Sequence, residues 1–181
     1  MSPGLLVVLA ISAVLLFWVI GAHNRLVVMR NGINDAWVKV QEALDQRGAA
    51  ALPLVAALRD AMATEQGALD TWLAAHAEAG RAATAMAARP ISPPHAQAWV
   101  AAETALAAAA SRVLALLDQQ SELRSGEPVA SLASRWRDGQ ARLPFARQTF
   151  NDAAAPYNEA VGLFPTQLVA KGFGLGRAGL L

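Results

Sequence analysis

The sequence of 181 residues contains no cysteine. Disulfide bonds, thiolate nucleophiles and cysteine-ligated metals are therefore excluded. The chain also has little net charge, because 15 Lys and Arg residues stand against 14 Asp and Glu residues. The basic residues are dispersed, so we expect no nucleic-acid partner. Strand-forming residues are few and never alternate for long, whereas alanine dominates, and both trends favour helices.

Motifs that carry chemistry are missing as well. The three histidines, His23, His76 and His95, are far apart, and none has a second histidine at helical spacing. No Gly-x-Ser-x-Gly turn occurs, and the glycines of the segment 172–176 lack the spacing of a dinucleotide fingerprint. We therefore expect no catalytic residues, no cofactor and no metal, and we predict that the protein is not an enzyme.

The longest hydrophobic run extends from Leu5 to Ala22 and is interrupted only by Ser12. As a helix it measures roughly 27 Å, close to the hydrocarbon thickness of a bilayer. A cleaved signal peptide is the alternative, but no basic residue precedes the run and Ile20 is bulky for a cleavage site. We predict a retained transmembrane anchor over residues 1–22.

Basic residues follow the hydrophobic run and none precedes it. Arg25 and Arg30 come first, and Lys39 and Arg47 follow. By the positive-inside rule this asymmetry places the bulk of the chain in the cytoplasm.

Apolar residues recur at steps of three and four through the rest of the chain, as is typical of amphipathic helices. The first helix is expected to continue past the anchor, with Gly48 and Pro53 as a break, a kink or the start of a new helix. A second helix is predicted from about 54 to 88. A third begins at Pro93, with Ser92 as its N-cap, and ends near Ser125 and Gly126.

The last long segment has a heptad pattern typical of a coiled coil. Its apolar positions extend from Leu132 to Phe164, where Pro165 is expected to end the helix, and Pro144 and Pro156 predict kinks within it. We predict that large aromatic side chains form a buried seam of the bundle, namely Trp37, Trp136, Phe150, Tyr157 and Phe164.

These patterns predict an all-α protein, in which an N-terminal transmembrane helix continues into an antiparallel up-and-down bundle of long helices. The expected bundle covers residues 23–165. An apolar, glycine-rich tail covers 166–181, and it is predicted to touch the membrane interface or another subunit, with disorder as the alternative.

One polar set falls on the two helices nearest the chain ends. Asn151 and Asn158 are seven residues apart and share a helical face, and an antiparallel arrangement brings them near Arg30 and Asn34. These four residues form a candidate interaction or structural network, which fixes helix register or receives a partner's polar group. A position at the solvated margin of the seam is the alternative.

Two blocks of sequence resemble the LemA family of bacterial membrane-anchored proteins. The first block holds Asn24-Arg25-Leu26-Val27, Arg30-Asn31 and Ala36-Trp37, directly after the apolar run. The second holds Phe145-Ala146-Arg147-Gln148, Asn151-Asp152-Ala153, Tyr157-Asn158, Phe164-Pro165 and Phe173-Gly174. The resemblance implies a single-pass anchor, a bundle of long antiparallel helices and no enzymatic activity. Phe150 departs from the family's usual tyrosine, and Leu54 departs from its usual asparagine.

The leading hypothesis is a membrane-anchored, non-enzymatic helical scaffold at the bacterial inner membrane. Its expected partners are the lipid bilayer and either copies of itself or a membrane protein. One alternative is a membrane-remodelling oligomer that engages lipid through its tail. Another is an enzyme subunit with a site between chains around Arg30, Asp35, Asn151 and Tyr157.

Overall fold

The computed structural model describes residues 2–181. Within this range every regular element is helical, which confirms the predicted all-α class. Six α-helices and one short 3-10 turn follow one another in the order α1 Pro3–Arg59, the 3-10 turn Ala63–Glu65, α2 Gln66–Ala88, α3 Pro93–Asp118, α4 Ser121–Ser125, α5 Val129–Gly162 and α6 Thr166–Gly172.

Helix α1 is continuous over 57 residues, a length of about 85 Å. Its first part is exposed, and its buried stripe begins at Leu26 and ends at Leu58. Pro53 lies inside the helix at an exposed position. The carbonyl of Ala49, which loses its usual partner there, is thus on the side where water can bond to it. Neither a break nor the start of a new helix is therefore found in this region, since α1 continues through Gly48 and Pro53.

The four long helices form an antiparallel bundle. α1 and α5 run side by side in opposite directions, with Trp37 against Phe150 at 6.2 Å between ring centroids. α2 and α3 form a hairpin that packs on this pair, because Trp99 of α3 meets Trp37 at 5.6 Å and Trp72 of α2 meets Trp136 at 4.9 Å. Each long helix thus contributes a buried tryptophan to one core.

Three predicted boundaries are wrong. The second helix begins at Gln66 rather than near residue 54, because α1 retains its buried stripe to Leu58. The third helix ends at Asp118, after its last buried residue Leu117, and a separate short helix occupies 121–125. The fourth helix ends at Gly162, three residues before Pro165. Ser92 does precede α3, but its side chain makes no capping hydrogen bond.

The tail packs on the bundle of its own chain. Residues 166–172 form α6, and residues 173–181 then run back along α5 in the opposite direction. Near the start of this segment the Phe173 ring lies against His23 of α1, with ring centroids 4.3 Å apart. The tail is therefore folded onto α1 and α5.

Two helices are long and apolar enough to cross a membrane by length and composition. In α1 the most apolar window has a mean hydropathy of 2.8, and none of it is buried. The window in α3 reaches 1.6 and is one-third buried, with Trp99, Leu106 and Val113 in the core. Of the two windows, only the one in α1 therefore has an apolar surface that no other part of the protein covers.

Candidate functional sites: the tail clamp and the Arg47 cleft

Three side chains of α5 hold the tail, and we name them the tail clamp: Asn151, Tyr157 and Asn158. The amide of Asn158 donates to the carbonyl of Ala178 at 3.0 Å and accepts from its backbone N–H at 2.7 Å. The amide of Asn151 makes the same pair of bonds with Leu181, at 2.9 and 2.8 Å. One α-helical face therefore satisfies the tail backbone much as a neighbouring strand would.

Tyr157 completes the clamp, because its hydroxyl donates to the carbonyl of Gly176 at 2.9 Å. Burial raises the pKa of Tyr157, and the charge of Arg30 opposes this shift. The phenol is thus retained as a hydrogen-bond donor at neutral pH.

The tail approaches the start of α3 very closely at Gly179. Its N–H donates to the carbonyl of Ile91 at 3.2 Å. A Cβ at this glycine would lie 2.5 Å from the Cβ of Ala96 and 2.8 Å from the Cα of Pro93. Only glycine fits this approach, so the register of the tail on the clamp is fixed by sterics as well as by hydrogen bonds.

The four residues of the predicted polar network do not form one cluster of hydrogen bonds. Asn151 and Asn158 bind the tail. Arg30 is exposed and Asn34 is half-buried, and both line a separate recess beside Trp37 and the α2–α3 turn. Arg30 still lies close enough to Tyr157 to influence its pKa. Asp35, which the enzyme alternative included, is exposed on α1.

The aromatic residues of the predicted seam differ in position. Trp37, Trp136, Phe150 and Tyr157 are buried, whereas the side chain of Phe164 is 78% exposed. α5 ends at Gly162, so the heptad register that would direct Phe164 inward does not extend to it.

The most buried charges of the chain lie near the middle of the bundle. Arg47 of α1 donates through Nη1 to Oε2 of Glu103 at 2.6 Å and through Nη2 to Oε1 at 2.8 Å. Both side chains are only 4% exposed. Gln140 of α5 accepts a further bond from Arg47 Nη1 at 2.9 Å. One guanidinium therefore links α1, α3 and α5 by charge-assisted hydrogen bonds.

The surroundings of Arg47 are shaped to admit it. The guanidinium carbon lies 5.2 Å from the ring centroid of Trp136, within cation–π range. Gly139 of α5 faces the backbone of Arg47, and a Cβ there would lie 2.8 Å from the Arg47 Cα. The absence of a side chain at Gly139 thus allows α5 to approach α1 closely at this level.

A cleft of about 490 Å³ opens beside the ion pair and is named here the Arg47 cleft. It lies between α1 and the α2–α3 hairpin, and its walls include Gly48, Gly80 and Ala83 besides the ion pair. His76 also lines it and is half-buried. Burial and, to a lesser extent, the Arg47 charge lower the pKa of His76, while Glu103 opposes them, so the imidazole is neutral at pH 7.

The ion pair itself is not placed to act as an acid or a base. Both oxygens of Glu103 accept hydrogen bonds from Arg47, so neither can take a proton from a ligand without breaking the ion pair. Within residues 2–181, no group of three His, Asp or Glu side chains is placed to hold a metal ion. The ion pair is better suited to fixing the register of three helices.

The ion pair was not predicted from the sequence. Arg47 was interpreted only as a basic residue following the anchor, and Glu103 was given no role. A usable indication was present, since Glu103 falls on the apolar stripe between Trp99 and Leu106, and Arg47 falls on the stripe of α1. A charge at a stripe position is rare unless it is paired.

Taken together, the fold and the two sites define an all-helical bundle protein built on one long helix whose leading part is apolar and exposed. The sequence model of the LemA family matches residues 36–181. The chain belongs to the LemA family, and the matched region includes both the tail clamp and the Arg47 cleft. No curated protein matches the chain.

Proposed function

We propose that this LemA-family protein is a membrane-anchored, non-enzymatic scaffold that organises other proteins or copies of itself at the bacterial inner membrane. The observation that carries the proposal is the continuity of α1. One unbroken helix contains an apolar window with none of its surface buried and then supplies the core of the bundle through Trp37. A span of this kind fits a bilayer and couples the bundle rigidly to it.

The polar sites support binding rather than turnover. The tail clamp is occupied by backbone groups of its own chain, and the charges of the Arg47 cleft are occupied by each other. The enzyme alternative needs Asn151 and Tyr157 free to meet a substrate, and in this structure both hold the tail instead.

The anchor is tested by placing charge in the apolar window. The double variant Leu9→Arg/Val14→Arg puts two guanidinium groups at the membrane centre, where each costs about 2.5–3.5 kcal/mol on insertion scales. We expect most of the protein to leave the membrane fraction. The matched control Val28→Arg/Val38→Arg alters two exposed valines beyond the window and should remain membrane-bound. Equal membrane fractions for both variants would contradict the anchor.

Orientation is tested with single cysteines, which report cleanly because the natural chain has none. A cysteine replacing the exposed Ser134 of α5 is expected to react with a membrane-impermeant maleimide only after cells are permeabilised. Reaction in intact cells would place the bundle on the outer side of the membrane.

Self-assembly or partner binding is tested on the full chain in lipid nanodiscs and in cells. Mass measurement of the discs should give more than one copy, or crosslinking in cells should capture a neighbouring protein. A mass of one copy combined with no crosslinked neighbour would contradict the scaffold.

A further inference from the structure

On the bundle, large exposed apolar side chains are concentrated where α5 turns into α6. Leu163, Phe164 and Leu168 have exposed fractions of 55%, 78% and 60%. Elsewhere on the bundle, between residues 23 and 162, exposed side chains of this kind are isolated, at Val28, Val38, Leu52 and Phe145. A cluster of large apolar side chains in so short a segment is typical of a surface that meets another apolar phase. The three residues are named here the α5–α6 corner.

The corner lies at the level of the last turns of the apolar span. Ala160 and Thr166, which flank it in sequence, share a recess with Trp18, Ala22 and two neighbouring turns of α1. Just beyond the corner, the Phe173 ring contacts His23. The α2–α3 turn is farther up the bundle, beside Arg30 and Trp37, so within residues 2–181 this level is formed by α1, α5, α6 and the start of the tail segment.

Cationic side chains surround the corner. Arg177 of the tail lies against Gly162, since its Nη2 is 2.9 Å from where a Cβ of that glycine would be. Arg25 and Lys171 are exposed on α1 and α6 at the same end of the molecule. Trp18 is at the end of the apolar run, where an aromatic ring is favoured at the membrane interface. Apolar side chains with cations beside them match the acyl and phosphate levels of an anionic lipid surface.

We propose that the α5–α6 corner is a second membrane contact, in which Leu163, Phe164 and Leu168 lie in the interfacial region of the bilayer that holds the α1 span. This inference rests on the proposed membrane anchor. The bilayer is preferred to a protein partner because the corner adjoins the last turns of the span. A membrane that surrounds the span therefore contacts the corner, and no additional binding partner is needed.

Three exposed phenylalanines permit a matched test. The exposed fractions of Phe17, Phe145 and Phe164 are 72%, 79% and 78%. Phe17 lies in the span, Phe164 is at the corner, and Phe145 is farther from the membrane by 19 residues of chain. Each is replaced by cysteine in the full chain, labelled with an environment-sensitive nitrobenzoxadiazole dye, and reconstituted in nanodiscs that contain phosphatidylglycerol. Nitroxide lipids labelled near the headgroup or deep in the acyl chain then quench the dye.

We expect the dye at residue 164 to emit at shorter wavelength than the dye at residue 145 and to lose most of its emission to the shallow quencher. The dye at residue 17 should be quenched best by the deep quencher, and the dye at residue 145 by neither. Circular dichroism verifies that each variant is folded, and Leu168→Cys provides a second reporter at the corner should Phe164→Cys fail to fold.

The remaining outcomes separate the two hypotheses. Quenching at residue 17 but not at the corner overturns this inference and leaves the anchor intact. A blue shift at residue 164 that neither lipid quencher affects means that protein covers the corner, which also overturns the inference. No quenching at residue 17 overturns the anchor and the corner contact together.

Discussion

Asparagine at positions 151 and 158 has a role that few other side chains could perform. A primary amide offers a donor and an acceptor side by side, and this is the pattern that an extended backbone residue presents. At 158 both groups pair with Ala178, and at 151 both pair with Leu181. Two asparagines seven residues apart on α5 therefore pair with two tail residues that are three positions apart.

This pairing predicts a specific effect of Asn158→Asp, which retains the shape but replaces the donor with an acceptor. The carboxylate would face the carbonyl of Ala178, so the free energy of local opening of the tail should fall by about 1–3 kcal/mol. Hydrogen exchange at the Ala178 and Leu181 amides measures this change. The control Asn31→Asp alters an exposed asparagine of α1 and should leave both amides as protected as in the wild type.

His76 predicts a pH dependence of stability. Its pKa in the folded protein is lowered, chiefly by burial, so the unfolded chain binds a proton more readily than the fold does. The stability that the neutral imidazole of His76 contributes is fully present above the unfolded pKa of about 6.5. It is lost as the pH falls below that value toward the lowered pKa of the folded protein. Urea denaturation at pH 7.5 and 5.5 should show a smaller loss of stability for His76→Gln than for the wild type. Identical losses would contradict a role for the imidazole.

At the scale of the helices, the approach of α1 and α5 depends on a glycine. Gly139 lies against the Arg47 backbone, and no side chain can be added without moving one helix. The ion pair of Arg47 and Glu103, which links these helices with α3, is almost fully buried.

We therefore expect Gly139→Ala to destabilise the bundle, although alanine is the better helix former. Overpacking of this kind costs about 1–3 kcal/mol, which exceeds the gain in helix propensity of up to about 1 kcal/mol. Gly80→Ala in α2 is the matched control, because a Cβ at Gly80 meets nothing within 4 Å and should stabilise the helix. Chemical denaturation of both variants tests this difference in sign.

The helices also show what the sequence could predict. Apolar periodicity was sufficient for the all-α bundle and for the shared face of Asn151 and Asn158. It was insufficient for Pro53, where a break or a new helix stayed open although α1 continues through this exposed position. The kinks at Pro144 and Pro156 remain predictions. The partner of the clamp was unpredictable for another reason: it consists of backbone atoms, which carry no sequence pattern. Arg47 and Glu103 are 56 positions apart, and no local pattern joins them.

For the whole molecule, the proposed anchor and the length of α1 together predict how far the bundle extends from the bilayer. From His23 to Arg59 the helix measures about 55 Å at 1.5 Å per residue. Neutron reflectometry on a supported bilayer with the full chain inserted should therefore give a protein layer of about 55 Å. A layer near half that thickness would mean that the bundle lies flat on the lipid and would contradict rigid coupling through α1.

In the proposed membrane-anchored state, the uninterrupted α1 has a mechanical consequence. Transmembrane helices are tilted by about 20° on average, and they adjust to bilayers of different thickness by changing this tilt. Without a hinge at the membrane surface, a 20° change would swing the distal end of the bundle sideways by about 20 Å, given its 1.5 Å rise per residue. A difference in bilayer thickness would in this way displace laterally whatever binds the far end of the bundle.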